Sequence, residues 1–448
     1  MAASWFFYLC AKPIYLTLLL FVILTSYCMG RILDKYRRKG ILALCLTADG
    51  ILLFAFKYVQ FALSLVGQGL QRVGIAFEIP VLTLVLPVGI SFYVFQAMGY
   101  VIDVYRGGAV ERSFLHYALF LSFFPQIISG PIGRAEELLP QFRTIHPFDW
   151  DAFRRGLLRF LWGAFLKLVL ADRLAVLVNT IYAAPDTFGA LQVMGAAVAF
   201  SFQIYCDFSA YSHMALGVAG SMGFILRENF QAPYFSRSIA EFWRRWHMSL
   251  SSWFRDYLYI PLGGSRRGTV RKYWNIIIVF TVSGLWHGAA VTFVVWGLLN
   301  GLYQVAGAVT VPLRSRIGRW LGLGEERLLR HLIQITLTFL LTTIAWVFFK
   351  ADGLSNALAI LGRMCYGPLW VRQSMGLNRQ ELIVALIGLI ILLFIDLGAQ
   401  KWDWPRIWLE ARRPVRWVVL WALLFACLLC GSYGTGYDAQ AFLYGFSF

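Results

Sequence analysis

Charge is what this 448-residue chain has least of: Asp, Glu, Lys and Arg make up 14% of it, where an ordinary soluble domain carries about 25%. With 59% hydrophobic residues, 17% aromatic residues and a mean hydropathy of +0.65, that scarcity excludes a soluble globular enzyme. Acidic residues are scarcer still, 23 against 40 basic, which leaves a formal net charge of +17. The excess does not gather on a soluble face, so nucleic-acid binding is excluded by the basic-patch criterion. It falls between apolar segments, at Arg31–Lys39, Arg266–Lys272, Arg314–Arg330 and Lys401–Arg416. The positive-inside rule reads such stretches as cytoplasmic loops, drawn also to anionic lipid headgroups.

Cysteine supplies no framework. Seven is an odd count, mostly inside apolar segments, so no disulfide scaffold is expected. Cys427 and Cys430 form a C-x-x-C on an apolar helix without nearby His or acidic ligands, and read as packing. No other spacing suits a metal, so none is expected. Internal repeats, low-complexity tracts and soluble linkers are also missing, and residues 1–448 read as a single membrane domain. The N-terminus lacks a basic leader and a small-residue cleavage site, so roughly 8–30 reads as a retained membrane helix.

What remains is a succession of apolar segments approaching the roughly 20 residues needed to cross a bilayer. Candidate spans lie near 8–30, 41–65, 81–103, 156–182, 188–220, 331–349, 380–399 and 415–433. The segment 274–308 is long enough for a helical hairpin, with Gly284 and Gly288 placed to break it around Trp286-His287. A run at 114–129, ending Ile128-Ser129-Gly130-Pro131, is too short to cross comfortably and reads as re-entrant. The fold class is an all-α polytopic membrane protein with about ten transmembrane helices, and basic loops inside put both termini outside. The stretch from Arg227 to Lys272 is too polar to span lipid, yet its aromatic residues predict that it packs into the body. Irregular backbone at that depth survives only when buried in protein or lining water.

An ionisable side chain at membrane depth costs roughly 2.5 kcal/mol or more unless a cavity or partner receives it. His287, in Leu285-Trp286-His287-Gly288, is therefore a functional candidate. A neutral imidazole can take a proton from a hydroxyl nucleophile, and Ser283, four residues earlier, is placed to orient it. A histidine that hydrogen-bonds two helices together is the alternative. His247, in Phe242-Trp243-Arg244-Arg245-Trp246-His247, reads as a second acid/base group, a contact to the donor, or an interfacial histidine. Asp207 needs a cationic partner if buried, with Arg255 as a candidate. The loop Pro261–Gly268, with Arg266 and Arg267, could cradle phosphates. Asp49 and Lys57, eight residues apart, are too far to pair directly. Lys167, Asp172 and Arg173 line an interior or interface, and His116, His146 and His331 fall near segment ends.

Several segments together resemble the membrane-bound O-acyltransferase superfamily, and within it the bacterial alginate O-acetyltransferase branch. They are Tyr205–Gly217 (YCDFSAYSHMALG), Glu228–Tyr234 (ENFQAPY), Ser238–Gly264 (SIAEFWRRWHMSLSSWFRDYLYIPLGG) and Ser283–Gly297 (SGLWHGAAVTFVVWG). Leu86–Tyr105 (LPVGISFYVFQAMGYVIDVY) and Ser122–Arg134 (SFFPQIISGPIGR) also fit. The resemblance implies tilted helices around a thin centre pierced by a tunnel, with re-entrant and interfacial helices and an acyltransferase core at about 80–310. It implies catalytic roles for His287 and His247. The candidate substrate-binding set is Asp207, Ser209, Tyr211, Trp246, Ser249, Arg255, Asp256, Tyr257, Asn275, Ser283 and Trp286, with Arg266, Arg267 and Lys272 toward coenzyme A phosphates. The implied co-substrate is acetyl-CoA or a related thioester, with no permanently bound cofactor. The implied recipient is a periplasmic or extracellular acetyltransferase, or the polysaccharide itself, and the implied location is the bacterial inner membrane. The chain departs from the family pattern at Ala210 and His213, where glycine and aspartate are usual. It also starts near the family's second helix, so the first is absent or supplied by a small membrane partner. Competing readings are a teichoic acid D-alanyl transferase, a proton-coupled transporter or export channel, and a scaffold for polysaccharide assembly.

Overall fold

A computed structural model describes residues 1–10, 13–75, 87–322 and 327–433, and every regular element among them is helical. Seven of these helices are long and apolar enough to cross a membrane: Pro13–Tyr36, Lys39–Arg72, Ala190–Ser221, Val291–Val309, Leu328–Lys350, Arg379–Ala399 and Arg413–Cys430. The other expected spans fall on helices that are shorter or more polar. Of the span expected at 81–103, residues 81–86 lie outside the described residues, and the described helix is Ile90–Tyr105, 16 residues long. The span expected at 156–182 is broken by a π-helical turn, Leu166–Ala171, and carries Lys167, Asp172 and Arg173. The basic stretch 314–330 is described except for 323–326.

The expected helix at 8–30 is two helices, Ala2–Leu9 and Pro13–Tyr36. Proline at a first helical position lacks the N–H that would go unsatisfied there, and its ring presets φ, so a new helix starts at Pro13.

The described chain forms two compact units. The first comprises Met1–Asp149 and Met222–Arg227. In it Pro13–Tyr36 packs on Ile90–Tyr105 and Phe114–Ser122, with the Tyr117 hydroxyl donating to Ser26 Oγ at 2.7 Å. The run at 114–129 holds a helix of only 9 residues, Phe114–Ser122, followed by turns. At 1.5 Å per residue that helix is about 14 Å long, half a bilayer core. It ends where Gln126 Nε2 donates to Phe120 O at 2.9 Å.

The second unit comprises Trp150–Ser221 and the chain from Glu228. Its axis is the 32-residue helix Ala190–Ser221, most of whose residues are buried. The polar stretch after Glu228 folds into short helices, Ile239–Arg245 and Met248–Phe254, whose Phe242, Trp243, Trp253 and Phe254 are buried. Ser238 caps the first of them by accepting from Glu241 N, as a serine before a helix is expected to do. The 274–308 hairpin forms as Thr269–His287 and Val291–Val309, broken at Gly288-Ala289-Ala290. Gly284 lets its arms touch, because a Cβ there would lie 2.2 Å from Phe293 O.

Candidate active site

His287 is the last residue of Thr269–His287, and the chain turns extended at Gly288. A Cβ on Gly288 would fall 2.1 Å from the Phe293 ring, so glycine is what lets the hairpin close against the histidine. The imidazole is 4% exposed and walled by ring edges: Trp286 at 4.8 Å, Trp296 at 5.1 Å and 89°, and Phe349 at 5.5 Å between centroids. Trp296 in turn stacks on Trp346 at 5.5 Å. The indole N–H groups of Trp296 and Trp346 are buried and have no acceptor in the structure. At a helix C-terminus the backbone dipole favours positive charge, by up to about 2 kcal/mol when partly buried. His287 thus ends its helix on the side where the backbone carbonyls carry partial negative charge.

His247 sits in a different kind of surrounding. It precedes Met248–Phe254 with φ +43 and ψ +55, a left-handed backbone that costs a non-glycine residue about 1–3 kcal/mol. The conformation is held by an antiparallel pair of backbone bonds, Gln231 N to Arg245 O at 3.0 Å and Met248 N to Asn229 O at 3.0 Å. The Asn229 side chain fills the turn between them. Its Oδ1 accepts from Ser249 Oγ at 2.6 Å and Ser249 N at 3.3 Å, and lies 3.4 Å from His247 Nδ1. Its Nδ2 donates to Ser212 Oγ at 3.2 Å. The His247 ring packs edge-on to Phe208 at 4.6 Å, and burial pushes its imidazole down to about 3, so the ring is neutral near pH 7.

Trp286 joins the two histidines. Its ring lies 6.4 Å from His247 and 4.8 Å from His287, so both imidazoles border one indole. Spacing in the sequence left their meeting open; the hairpin and the 229–248 turn bring them together.

Comparison with known proteins decides the family. The family model for membrane-bound O-acyltransferases matches residues 109–320. The chain is 36% identical to the "Probable alginate O-acetylase AlgI" of Pseudomonas syringae pv. tomato, over 88% of this chain and 74% of that protein. It belongs to the membrane-bound O-acyltransferase family. It is 35% identical to the "Peptidoglycan O-acetyltransferase" of Helicobacter pylori over 81% of this chain and 72% of that protein. Similarity to the "Teichoic acid D-alanyltransferase" of Streptococcus thermophilus is 32% over 52% of this chain and 59% of that protein.

This membrane-bound O-acyltransferase is thus a multi-pass membrane enzyme, and its other sequence-predicted site residues distribute unevenly around the histidines. Ser249 belongs to the His247 cradle, and Ser283 is buried one turn before His287. Asp207 is buried, but its partner is Lys167, at 2.7 Å, which also binds Asp172 at 2.9 Å. Arg255 instead pairs with its neighbour Asp256 at 2.8 Å and is 64% exposed, so the expected Asp207–Arg255 pair does not form. Lys167 lies in the π-helical turn Leu166–Ala171, packed against the Asp207 helix, whereas Arg255 opens the turn Arg255–Tyr259 with its side chain exposed. Ser209 is buried and donates to Cys206 O at 3.4 Å; Tyr211 is half-buried. Trp246 lies inside an aromatic core with Phe230, Phe242 and Trp346 at 5.1, 5.4 and 5.0 Å. Tyr257 stacks near Trp253 at 5.0 Å.

Asn275 pins the Pro261–Gly268 loop by donating to Gly264 O at 2.9 Å. Gly263 and Gly264 there have φ of +103 and +55, and Arg266 and Arg267 are exposed, with Lys272 half-buried. At the family departure, Arg159 Nε donates to His213 Nδ1 at 3.3 Å and the guanidinium pairs with Glu228. An imidazole nitrogen that accepts from a guanidinium is unprotonated, so the negative charge facing Arg159 here is that of Glu228. Sequence reasoning missed Asn229, Trp296, Trp346, Phe349 and the Lys167–Asp207 pair. Of these, Asn229, Trp296 and Asp207 lay in matched segments, and Lys167, Trp346 and Phe349 did not.

Proposed function

We propose that this enzyme moves an acetyl group from a cytoplasmic thioester, acetyl-CoA, to an extracytoplasmic hydroxyl. The acceptor is an exopolysaccharide of the alginate type or the periplasmic acetyltransferase that modifies it, and the site is the bacterial inner membrane. The observation that carries the reading is likeness to probable alginate O-acetylases along 88% of the chain, with His287 at the tip of the hairpin inside that likeness. The match to the teichoic acid D-alanyltransferase covers 52% of the chain, which favours an acetyl donor over a carrier-bound D-alanyl donor.

In the mechanism we infer, His287 takes the proton of the acceptor hydroxyl as its oxygen attacks the thioester carbonyl. A C–O bond forms, the C–S bond breaks, and the imidazolium returns its proton to the departing thiolate, releasing a free thiol. The helix C-terminus stabilises that imidazolium. Oxyanion stabilisation needs N–H donors aimed at the carbonyl oxygen; the indole N–H of Trp296, whose ring borders His287 at 5.1 Å, is assigned that role. Arg266, Arg267 and Lys272 are assigned to the phosphates of coenzyme A.

The test is acyl transfer by the purified enzyme in liposomes, offered acetyl-CoA or a D-alanyl carrier thioester in separate reactions. Mass spectrometry of acyl groups on the secreted polymer, with and without the protein, is its counterpart in cells. Consumption of acetyl-CoA and loss of polymer acetyl groups are expected. Turnover of the carrier thioester alone, or unchanged polymer, overturns the reading.

A further inference from the structure

We propose that Asn229 is a positioning residue that locks His247 as the Nδ1–H tautomer, so that His247 meets the substrates only as a hydrogen-bond acceptor, through Nε2. The assignment begins with a group whose role has no ambiguity. The backbone N–H of Ser249 can only donate, and it points at one end of the Asn229 amide from 3.3 Å. That end is therefore the oxygen, which fixes the amide orientation that coordinates by themselves leave open. The opposite end, Nδ2, donates to Ser212 Oγ at 3.2 Å, consistent with the same orientation. His247 Nδ1 lies 3.4 Å from that oxygen. A carbonyl oxygen only accepts, so Nδ1 carries the ring proton and Nε2 carries the lone pair.

Nothing in the cradle lets the ring escape this state. Asn229, Ser212 and Ser249 are all buried, at 0%, 3% and 2% exposure. The backbone of His247 is held left-handed by the Met248 N to Asn229 O bond, and Phe208 closes one edge of the ring. Flipping the imidazole would break its bond to Asn229.

The consequence, which rests on the acyltransferase mechanism proposed above, divides the labour between the histidines. A neutral ring with its proton on Nδ1 has none to give at Nε2, so His247 does not donate to the thioester oxyanion. It receives an O–H or N–H of a substrate: the acceptor hydroxyl, or an amide N–H of the donor's thioester arm.

The tautomer is measured without substrate, so its outcome is independent of the reaction assigned to the enzyme. In ¹⁵N-histidine-labelled enzyme, the signals lost in His247→Gln are expected to be a protonated Nδ1 and a bare Nε2; a protonated Nε2 overturns the proposal. Asn229→Asp keeps the acceptor oxygen and adds negative charge that favours the protonated ring, and is expected to raise the pH at which the His247 Nε2 signal gains a proton. An Nε2 titration superimposable on wild type overturns it. Asn229→Ala is expected to lower kcat/KM at least about tenfold, with the rise in KM falling on acetyl-CoA if the contact is the thioester arm and on the alcohol if it is the hydroxyl. Unchanged kinetics in that variant overturn the positioning role. Should Asn229→Ala fail to fold, the wild-type spectrum and Asn229→Asp still decide.

Discussion

Two histidines in one site are held by opposite means. His247 rests in a hydrogen-bonded cradle of Asn229, Ser249 and Ser212 on a strained backbone. His287 stands at a helix end within an aromatic cage of Trp286, Trp296 and Phe349. A cradle of directional bonds fixes which nitrogen bears the proton. A cage of ring edges fixes the position of the imidazole without fixing its proton, as the general base proposed above requires. The contrast suits one histidine that binds and one that reacts.

The strongest way to break that contrast is His287→Ala. It should abolish acyl transfer in reconstituted membranes, since general-base assistance contributes typically 10²–10⁴ in rate, while expression and membrane insertion stay intact. Near-normal turnover would remove His287 from the mechanism. Trp296→Phe keeps the wall of the cage and removes one N–H. Its kcat should fall about 10²-fold with unchanged stability, measured by turnover alongside thermal unfolding in detergent; a full-rate variant would leave the cage a matter of shape alone.

Behind the site, Lys167→Met strands two carboxylates, and breaking a buried pair costs about 3–5 kcal/mol. The solubilised protein should melt markedly lower, or fail to accumulate. An unchanged melting temperature would mean the Asp207–Lys167–Asp172 group has little part in the packing.

The cradle makes a pH prediction of the opposite kind. Burial holds His247 at about 3, so its charged form is negligible from pH 5 to 8. An acidic limb of kcat in that range belongs to another group, and His247→Gln should slow the enzyme while leaving the limb where it was. A limb that vanishes in that variant would reverse the division of roles. The smallest effect is expected at His213→Asp, beside an Arg159 already paired with Glu228. A half-exposed extra charge there should change stability by no more than about 1 kcal/mol, read as a melting shift of a few degrees at most.

The hairpin around His287 was legible before any coordinates because two glycines flank a lone polar residue in an apolar run, and it breaks at Gly288 as that pattern predicts. The fold class was legible from apolar length alone. Asp207 was legible as a group in need of a cation, but the cation was not: Lys167 is 40 residues away and reaches it through a π-helical turn. Asn229 stood in a segment matched to the family, yet no periodicity links it to a histidine 18 residues on. Their meeting depends on two backbone bonds between irregular segments. Trp246 carried a candidate binding role from the resemblance, and the structure sets its ring in an aromatic core with Phe230, Phe242 and Trp346.

Composition and the order of apolar segments determined that this chain lives in a bilayer, roughly where its apolar helices fall, and which ionisable groups had to be there for a reason. Hydrophobic burial and helix length are properties of contiguous residues, so a linear reading captures them. The tertiary structure alone decided which partners those groups keep, that Trp286 borders both histidines, and which nitrogen of His247 meets Asn229. Those are relations between atoms far apart in the chain, set by directional hydrogen bonds and close helix contact, and they exist only once the chain has folded.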